Sequence, residues 1–374
     1  MFFSLLGIAL WLSIQRSFTM KPAIFAANEY KADIDTNYTS IFNREFIPTV
    51  ATVPTVHSAT ITTLHNGQLL AAWFGGSREG ANDVAIYGAT RNITETGSWS
   101  QPVILVNRTT CSRELQRPLR KLGNPLLVTN AAGHIWLFFV IVSLGGWSTS
   151  SVAYKISTDH GNTFTSAKLL ITSPILNMST LVRTRALAYA DHSMGIPMYH
   201  EMLGKYGLFM RINANGQILS LNKITLGRYA IQPTVVATGP TQAVALLRRT
   251  KGMPARVITG YSHDGGNSWS VAGKSNLPNP DASIAAVRRP NNEILMVYNA
   301  TTEGRNRLSL ASSQDGLNWQ WLHDLELDQI YAEFSYPFLI TSAPGEYHLL
   351  YTWHRSRIAY IHFNESWLQS LQSL

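Results

Sequence analysis

The sequence predicts an all-β chain folded as a six-bladed β-propeller. Short apolar runs of strand length recur along it, a turn motif repeats between some of them, and the repeat distance is about one blade. In Ser262-His263-Asp264-Gly265-Gly266-Asn267-Ser268-Trp269 a polar core separates the apolar run 255–261 from the segment after Val271, which reads as a hairpin turn. Asp264 is suited to accept backbone N–H groups, the two glycines supply positive φ, and Trp269 folds back as a plug. Ser157 to Phe164 repeats the pattern with Phe in place of Trp, and Ser313 to Trp319 repeats it with one residue deleted. Asp159, Asp264 and Asp315 stand 105 and 51 residues apart, so the unit is about 50 residues, a period typical of repeat folds with four strands per blade.

The units follow in order. The first takes strands at 58–64, 69–74 and 84–90, a turn at Asn66-Gly67, a polar loop at 75–83, and Trp99 where a degenerate box would close it. The second takes 125–128, 134–143 and 151–156. The third begins near Arg183 and takes 195–200 and 206–213, with a turn at Asn215-Gly216. The fourth takes 232–237, 243–248 and 257–261; the fifth 283–288, 293–299 and 308–312; the sixth 336–341, 347–353 and 358–363. The aromatics Trp269, Trp319 and Trp367, 50 and 48 residues apart, mark the last three closures. Residues 48–370 are therefore expected to form one propeller and 28–47 an extended lead-in. The boxes fall on the turn between third and fourth strands, at the outer rim, where Asp159, Asp264 and Asp315 are structural. Function is expected on the opposite face, in the loops around the channel.

Bulk properties narrow the partners. The chain has 374 residues, 45% of them hydrophobic and 14% charged, which suits a large core rather than disorder. The net charge of +8 comes from scattered Lys and Arg with no run of like charges, so no nucleic-acid footprint is present, while the basic balance favours an acidic substrate. The single cysteine, Cys111, excludes an internal disulfide. No metal is expected, for want of paired ligand spacings, and no cofactor, because Gly75-Gly76 and Gly145-Gly146 sit in β contexts. The apolar run 2–14 is short for a membrane span. It reads, within 1–27, as a signal peptide with a small-residue cleavage region at Ala26-Ala27, or as an anchor and possible membrane tether. Either places the body outside the cytoplasm, as a secreted, periplasmic or membrane-anchored protein, expected to be a monomer.

The strings at 72–86 (Ala-Trp-Phe-Gly-Gly-Ser-Arg-Glu-Gly-Ala-Asn-Asp-Val-Ala-Ile), Leu277-Pro-Asn-Pro280, Gly304-Arg-Asn-Arg-Leu-Ser-Leu310, Glu333-Phe-Ser-Tyr-Pro337 and Tyr351-Thr-Trp-His-Arg-Ser-Arg-Ile358, with the turn boxes, resemble the bacterial sialidase-like (predicted neuraminidase, BNR or Asp-box repeat) family. The resemblance covers the chain from about Thr49 to Trp367. It implies an exo-acting glycosidase for a terminal sialic acid or another acidic sugar of a glycan. Such an enzyme needs arginines, whose planar fork pairs with a carboxylate, an acid for the leaving oxygen, and a tyrosine nucleophile. The resemblance assigns Tyr336 as nucleophile and Asp83 as acid. Arg248 and either Arg305 or Arg307 become carboxylate ligands; residues two apart in a strand share a face. Gln232 occupies the position of the glutamate that partners the tyrosine, sixteen residues before Arg248, and an amide is no base; Glu333 is the substitute. The first arginine is replaced by His57 or Ser58, with Arg78 as a replacement from the loop. Arg183 with Arg185, Arg355 with Arg357, Asn124 and Tyr199-His200-Glu201 are further polar candidates. Two alternatives use the same residues: a propeller lyase on uronate glycans, with Tyr199 and His200 or His57 and Tyr336 moving the proton, and a carbohydrate-binding propeller without catalysis.

Overall fold

The computed structural model describes residues 22–31, 39–93, 97–202, 204–225, 229–329 and 331–371; the apolar run 2–14 lies outside them. Six antiparallel sheets form six blades. A short strand, β1 (Phe42–Phe46), precedes them. Blade 1 holds β2 (Thr55–Thr63), β3 (Gln68–Gly76), β4 (Ala85–Asn92) and β5 (Val103–Val106). Blade 2 holds β6 (Lys121–Thr129), β7 (Ile135–Val142), β8 (Ser151–Ser157) and β9 (Lys168–Leu169). In blade 3 the inner strand is split into β10 (Leu181–Val182) and β11 (Leu187–Ala188), followed by β12 (Met194–His200), β13 (Tyr206–Ile212) and β14 (Ile218–Lys223). Blade 4 holds β15 (Ala230–Ala237), β16 (Ala243–Arg249), β17 (Arg256–Ser262) and β18 (Ser270–Pro278). Blade 5 holds β19 (Ala285–Arg288), β20 (Ile294–Asn299), β21 (Arg307–Ser313) and β22 (Gln320–Leu327). Blade 6 holds β23 (Phe334–Ala343), β24 (Glu346–Trp353) and β25 (Arg357–Asn364). Among the described residues no helix is long and apolar enough to cross a membrane.

The expected strands agree with these to within a few residues, because buried central strands are nearly continuous apolar runs. Every residue of β7 is buried, and every residue of β15. The lead-in boundary at residue 47 is corrected. β1 pairs antiparallel with β25, Phe42 opposite Phe363 and Phe46 opposite Ala359, and so is the outer strand of blade 6. The chain's start thereby closes the ring made by its end. Trp367 is likewise in no fourth strand. It lies in a C-terminal helix (Glu365–Ser370) and stacks on Phe42 at 4.4 Å between ring centroids.

The three boxes share one device, an aspartate accepting from backbone N–H groups of its own turn. Asp264 accepts from the Ser268 N–H (2.9 Å) and hydroxyl (2.5 Å), while Trp269 donates its indole N–H to the Gly266 carbonyl (3.1 Å). Gly265 has φ 72°, and a Cβ there would meet the Ala23 carbonyl oxygen at 1.9 Å. That contact belongs to the segment 22–31, which docks across blades 3 and 4. Phe25 is fully buried and stacks on Tyr189 at 4.8 Å, and Glu29 pairs with Arg185 at 2.5 Å. The expected leader boundary at residue 27 thus falls inside a docked segment.

Asp159 is held at about 2 by the Thr163 hydroxyl and N–H and by Ser157. Burial raises Asp315, but N–H groups of Asn318 and Leu317 outweigh it and hold it also at about 2. Both carboxyls are lower in the folded than in the unfolded state, where Asp titrates near about 3.9. Their stabilisation is present above that value and lost as pH falls through about 2. The thermal midpoint should therefore drop between pH 5 and pH 2 by less in the Asp159→Asn, Asp315→Asn double variant than in wild type. An unchanged slope would mean other groups control acid unfolding.

Candidate active site

Four of the strands lining the channel carry the same irregularity. In β2, β6, β15 and β23 the pairing with the next strand skips two residues, between His57 and Thr60, Gly123 and Leu126, Ile231 and Thr234, and Ser335 and Phe338. The first skipped residue has positive φ each time: Ser58 (57°), Asn124 (39°), Gln232 (51°) and Tyr336 (55°). In three the next residue is proline, Pro125, Pro233 and Pro337, which is tolerated in a sheet only at an edge or bulge because it has no N–H to give. A bulge re-aims a side chain. Here it joins the polar residue of three blades in one network. Asn124 donates to the Tyr199 hydroxyl (3.0 Å), and the Gln232 amide donates to the hydroxyls of Tyr199 (3.3 Å) and Tyr336 (3.5 Å). Arg248 donates to the Gln232 carbonyl oxygen (3.0 Å) and the Tyr336 hydroxyl (3.3 Å).

Arginines surround this phenol. Arg248 turns its Nε to Asp281 (2.6 Å), and its Nη2 makes no hydrogen bond among the described residues. Arg305 lies 5.8 Å from the centroid of the Tyr336 ring and donates to Glu333 (3.3 Å) and to the Asp281 carbonyl (3.0 Å). Arg355 bridges Glu333 and Glu79, both at 2.8 Å. Burial pushes the Tyr336 phenol up, but Arg248, the Gln232 amide and Arg305 outweigh it, and the group lies below the ordinary tyrosine range. Tyr199 is pushed up by burial and by the charges of Glu201 and Tyr336. The two phenols on the Gln232 amide are thus driven apart, an arrangement that separates an acid from a base. His57 is buried with its ring 4.2 Å from that of Tyr336 and its Nδ1 on the Thr352 hydroxyl (3.1 Å). Burial first, then the nearby arginines, hold it well below the ordinary histidine range, so it is neutral.

The BNR repeat-like domain family matches residues 67–349. The chain belongs to the BNR repeat-like family. Its fold is that of solved sialidases. It superposes on the Hadza microbial sialidase Hz136 with TM-score 0.68 at 16% identity, over 83% of this chain and 66% of that one. The NanB sialidase of Streptococcus pneumoniae gives 0.69 at 11%, over 86% and 70%. The leech intramolecular trans-sialidase gives 0.69 at 13%, over 90% and 71%. The chain therefore spans about two thirds of the length of these enzymes. It spans 97% of a Dyadobacter fermentans protein of unknown function, at TM-score 0.67 and 12% identity. No curated protein matches the sequence.

Within this BNR repeat-like chain, Tyr336, Gln232, Arg248, Arg305, Arg355 and Glu333 come together around one channel mouth, and four expectations need correction. Glu333 is a poor base for Tyr336: its carboxylate oxygens are taken by Arg305, Arg355 and the Ser335 hydroxyl (2.7 Å), whose donors outweigh burial and hold it below the ordinary carboxylate range, lowering its proton affinity. Arg307 does not share the face of Arg305. It opens β21 and pairs with Asp324 of β22 at 2.9 Å, whereas Arg305 lies before the strand, bridged to Glu333. Arg183 is not open to a ligand; it is 1% exposed, with its guanidinium on backbone carbonyls. Asp83 is exposed, and the Ser77 N–H (2.8 Å) and hydroxyl (2.9 Å) hold it below the ordinary carboxylate range, the reverse of what a proton donor needs. Arg78, in the same loop, is exposed; its charge helps hold Asp83 low, and it makes no side-chain hydrogen bond or ion pair among the described residues. Sequence reasoning singled out neither Asp281 nor Glu79. The one available signal was their place in channel-side loops; their arginine partners lie 33 and 276 residues away.

Proposed function

We propose that this protein is a sialidase-like hydrolase removing a terminal acidic sugar, sialic acid or a relative, from a glycan outside the cytoplasm. The observation that carries this reading is the Tyr336 hydroxyl held by Arg248 and Gln232 inside a ring of arginines. Arg248, Arg305 and Arg355 bind the substrate carboxylate, which displaces or shares their contacts with Asp281 and Glu333. The Tyr336 phenolate attacks the anomeric carbon as the glycosidic C–O bond breaks, and water later releases the sugar. A glutamate base is replaced by the field of Arg248 and Arg305, which lowers the phenol directly. The leaving oxygen takes its proton from solvent at the channel mouth, where Glu79 is ion-paired to Arg355 and Asp83 is held low by Ser77.

A panel of fluorogenic sialosides and uronides tests this, with mass spectrometry of the enzyme after a slow fluorinated substrate. Turnover with a sugar adduct on the peptide holding Tyr336 supports it; binding without turnover of any acidic glycoside defeats it. Arg305→Met and Arg355→Met should each raise KM about 10- to 100-fold, the worth of a charged hydrogen bond, with a smaller change for a substrate lacking the carboxylate. Equal effects on both substrates would remove these residues from carboxylate binding. A uronate lyase is the second reading, favoured by the neutral His57 against Tyr336 and the split phenol pair; its product is an unsaturated uronate, read by ultraviolet absorbance.

A further inference from the structure

Arg183 has the least expected role near the site. It lies in blade 3, in the gap between β10 and β11 where other blades carry their bulge. Its side chain crosses the channel to blades 6 and 1. Nη2 donates to the carbonyls of Tyr336 (2.5 Å) and Pro337 (3.1 Å), and Nη1 to that of Ala59 (3.1 Å). These three carbonyls belong to residues that the bulges of β23 and β2 release from the sheet ladder. Such freed carbonyls must find a donor, and one guanidinium serves all three. Above it lie the rings of Tyr336 and Phe338, with centroids 5.0 and 5.6 Å from its central carbon.

The electrostatics of this placement are unusual. Arg183 forms no salt bridge among the described residues, and its Nε is buried without a partner. Burial pulls the group down to about 10, still cationic at neutral pH, and the Tyr336 phenol is the first charge that opposes this. A buried cation without a carboxylate is costly, and three carbonyls could have been served by neutral donors. Two phenols beside it, Tyr336 and Tyr199, could supply a compensating negative charge; burial pushes Tyr199 up, whereas the Tyr336 phenol is held below its ordinary range, so the phenolate of Tyr336 is the partner that fits.

We infer that Arg183 is a positioning residue for Tyr336: from across the channel it clamps the strained backbone at Tyr336 and Pro337, and its charge beneath the ring favours the phenolate. It does not touch substrate. The consequence for turnover rests on the nucleophile reading of Tyr336, but the inference itself is tested without any sugar. With tyrosine labelled at the ring carbon bearing oxygen, the Tyr336 resonance is assigned by its loss in Tyr336→Phe and followed by NMR against pH. Arg183→Gln keeps N–H donors for the carbonyls and deletes the charge; it should raise the phenol pKa by about one unit, a tenfold weaker ionisation. Arg183→Lys keeps the charge and should stay within about threefold of wild type.

An unchanged titration in folded Arg183→Gln overturns the inference, and so does an equal rise in both variants, which would assign the effect to packing. Should the Gln variant not fold, Arg183→Lys decides alone: a tenfold weaker ionisation overturns the charge role, and one near wild type supports it. Where a substrate is in hand, Arg183→Gln should lower kcat and move its acid limb to higher pH with KM little changed. This titration can succeed while hydrolysis fails, and fail while hydrolysis stands.

Discussion

Tyr336→Phe should lower kcat by about 10³-fold or more while leaving KM within a few-fold, since it deletes the proposed nucleophile and no carboxylate ligand. The phenylalanine ring keeps the contacts with His57 and Arg183, and the bulge before Pro337 is unaltered, so the fold is retained. The two hydroxyl contacts that disappear are those with Arg248 and Gln232. Steady-state kinetics with a near-neutral far-UV spectrum change is the measurement, and turnover within threefold of wild type would sink the assignment. The pH profile adds a signed check. Arg248 is the largest influence lowering the phenol, so Arg248→Met should move the acid limb of kcat to higher pH. A limb that stays put would mean that another group sets it.

The second large effect is on stability. Arg289→Met should cost about 3–5 kcal/mol, the usual toll for stripping one partner from a buried ion pair. Arg289 is 1% exposed and holds Glu365 at 2.6 Å and Glu293 at 2.6 Å. Glu365 also accepts from the Tyr347 hydroxyl at 2.7 Å. This cluster ties the end of β19 to the C-terminal helix and to β24, at the rim away from the arginine-lined mouth. Without the guanidinium, Glu365 remains as a buried anion. Denaturant unfolding should show a lower midpoint with KM unaltered, and Arg289→Met with Glu365→Gln should recover part of the loss. A fall under about 1 kcal/mol would class the pair with surface bridges.

Blade count and inner strands were legible because buried strands are continuous apolar runs and the boxes set their spacing. β1 was not. Phe42-Asn43-Arg44-Glu45-Phe46 is five residues long and largely exposed, so nothing local marks it as a strand; only its distant partner β25 does. At the site, the family resemblance, placed along the chain by the boxes, reached Tyr336, Arg248, Arg305 and Gln232. It failed for Arg307 because two residues share a face only within one regular strand, and β21 begins at Arg307. It misjudged Glu333 and Arg183 because charge type says nothing about which group a long side chain meets across a channel.

The pairing of β1 with β25 sets an order of events during synthesis. Phe42 emerges early, yet its partner Phe363 is among the last residues made. Until then blade 6 lacks its outer strand, and the ring stays open beside a waiting N-terminal segment. Pairing across such a separation is slow and leaves unpaired edges exposed meanwhile. The moment of closure also brings β23, and with it Tyr336, against β2 and its histidine. A nascent chain stalled before blade 6 therefore carries five blades but lacks Tyr336, so the proposed site is incomplete until blade 6 is made.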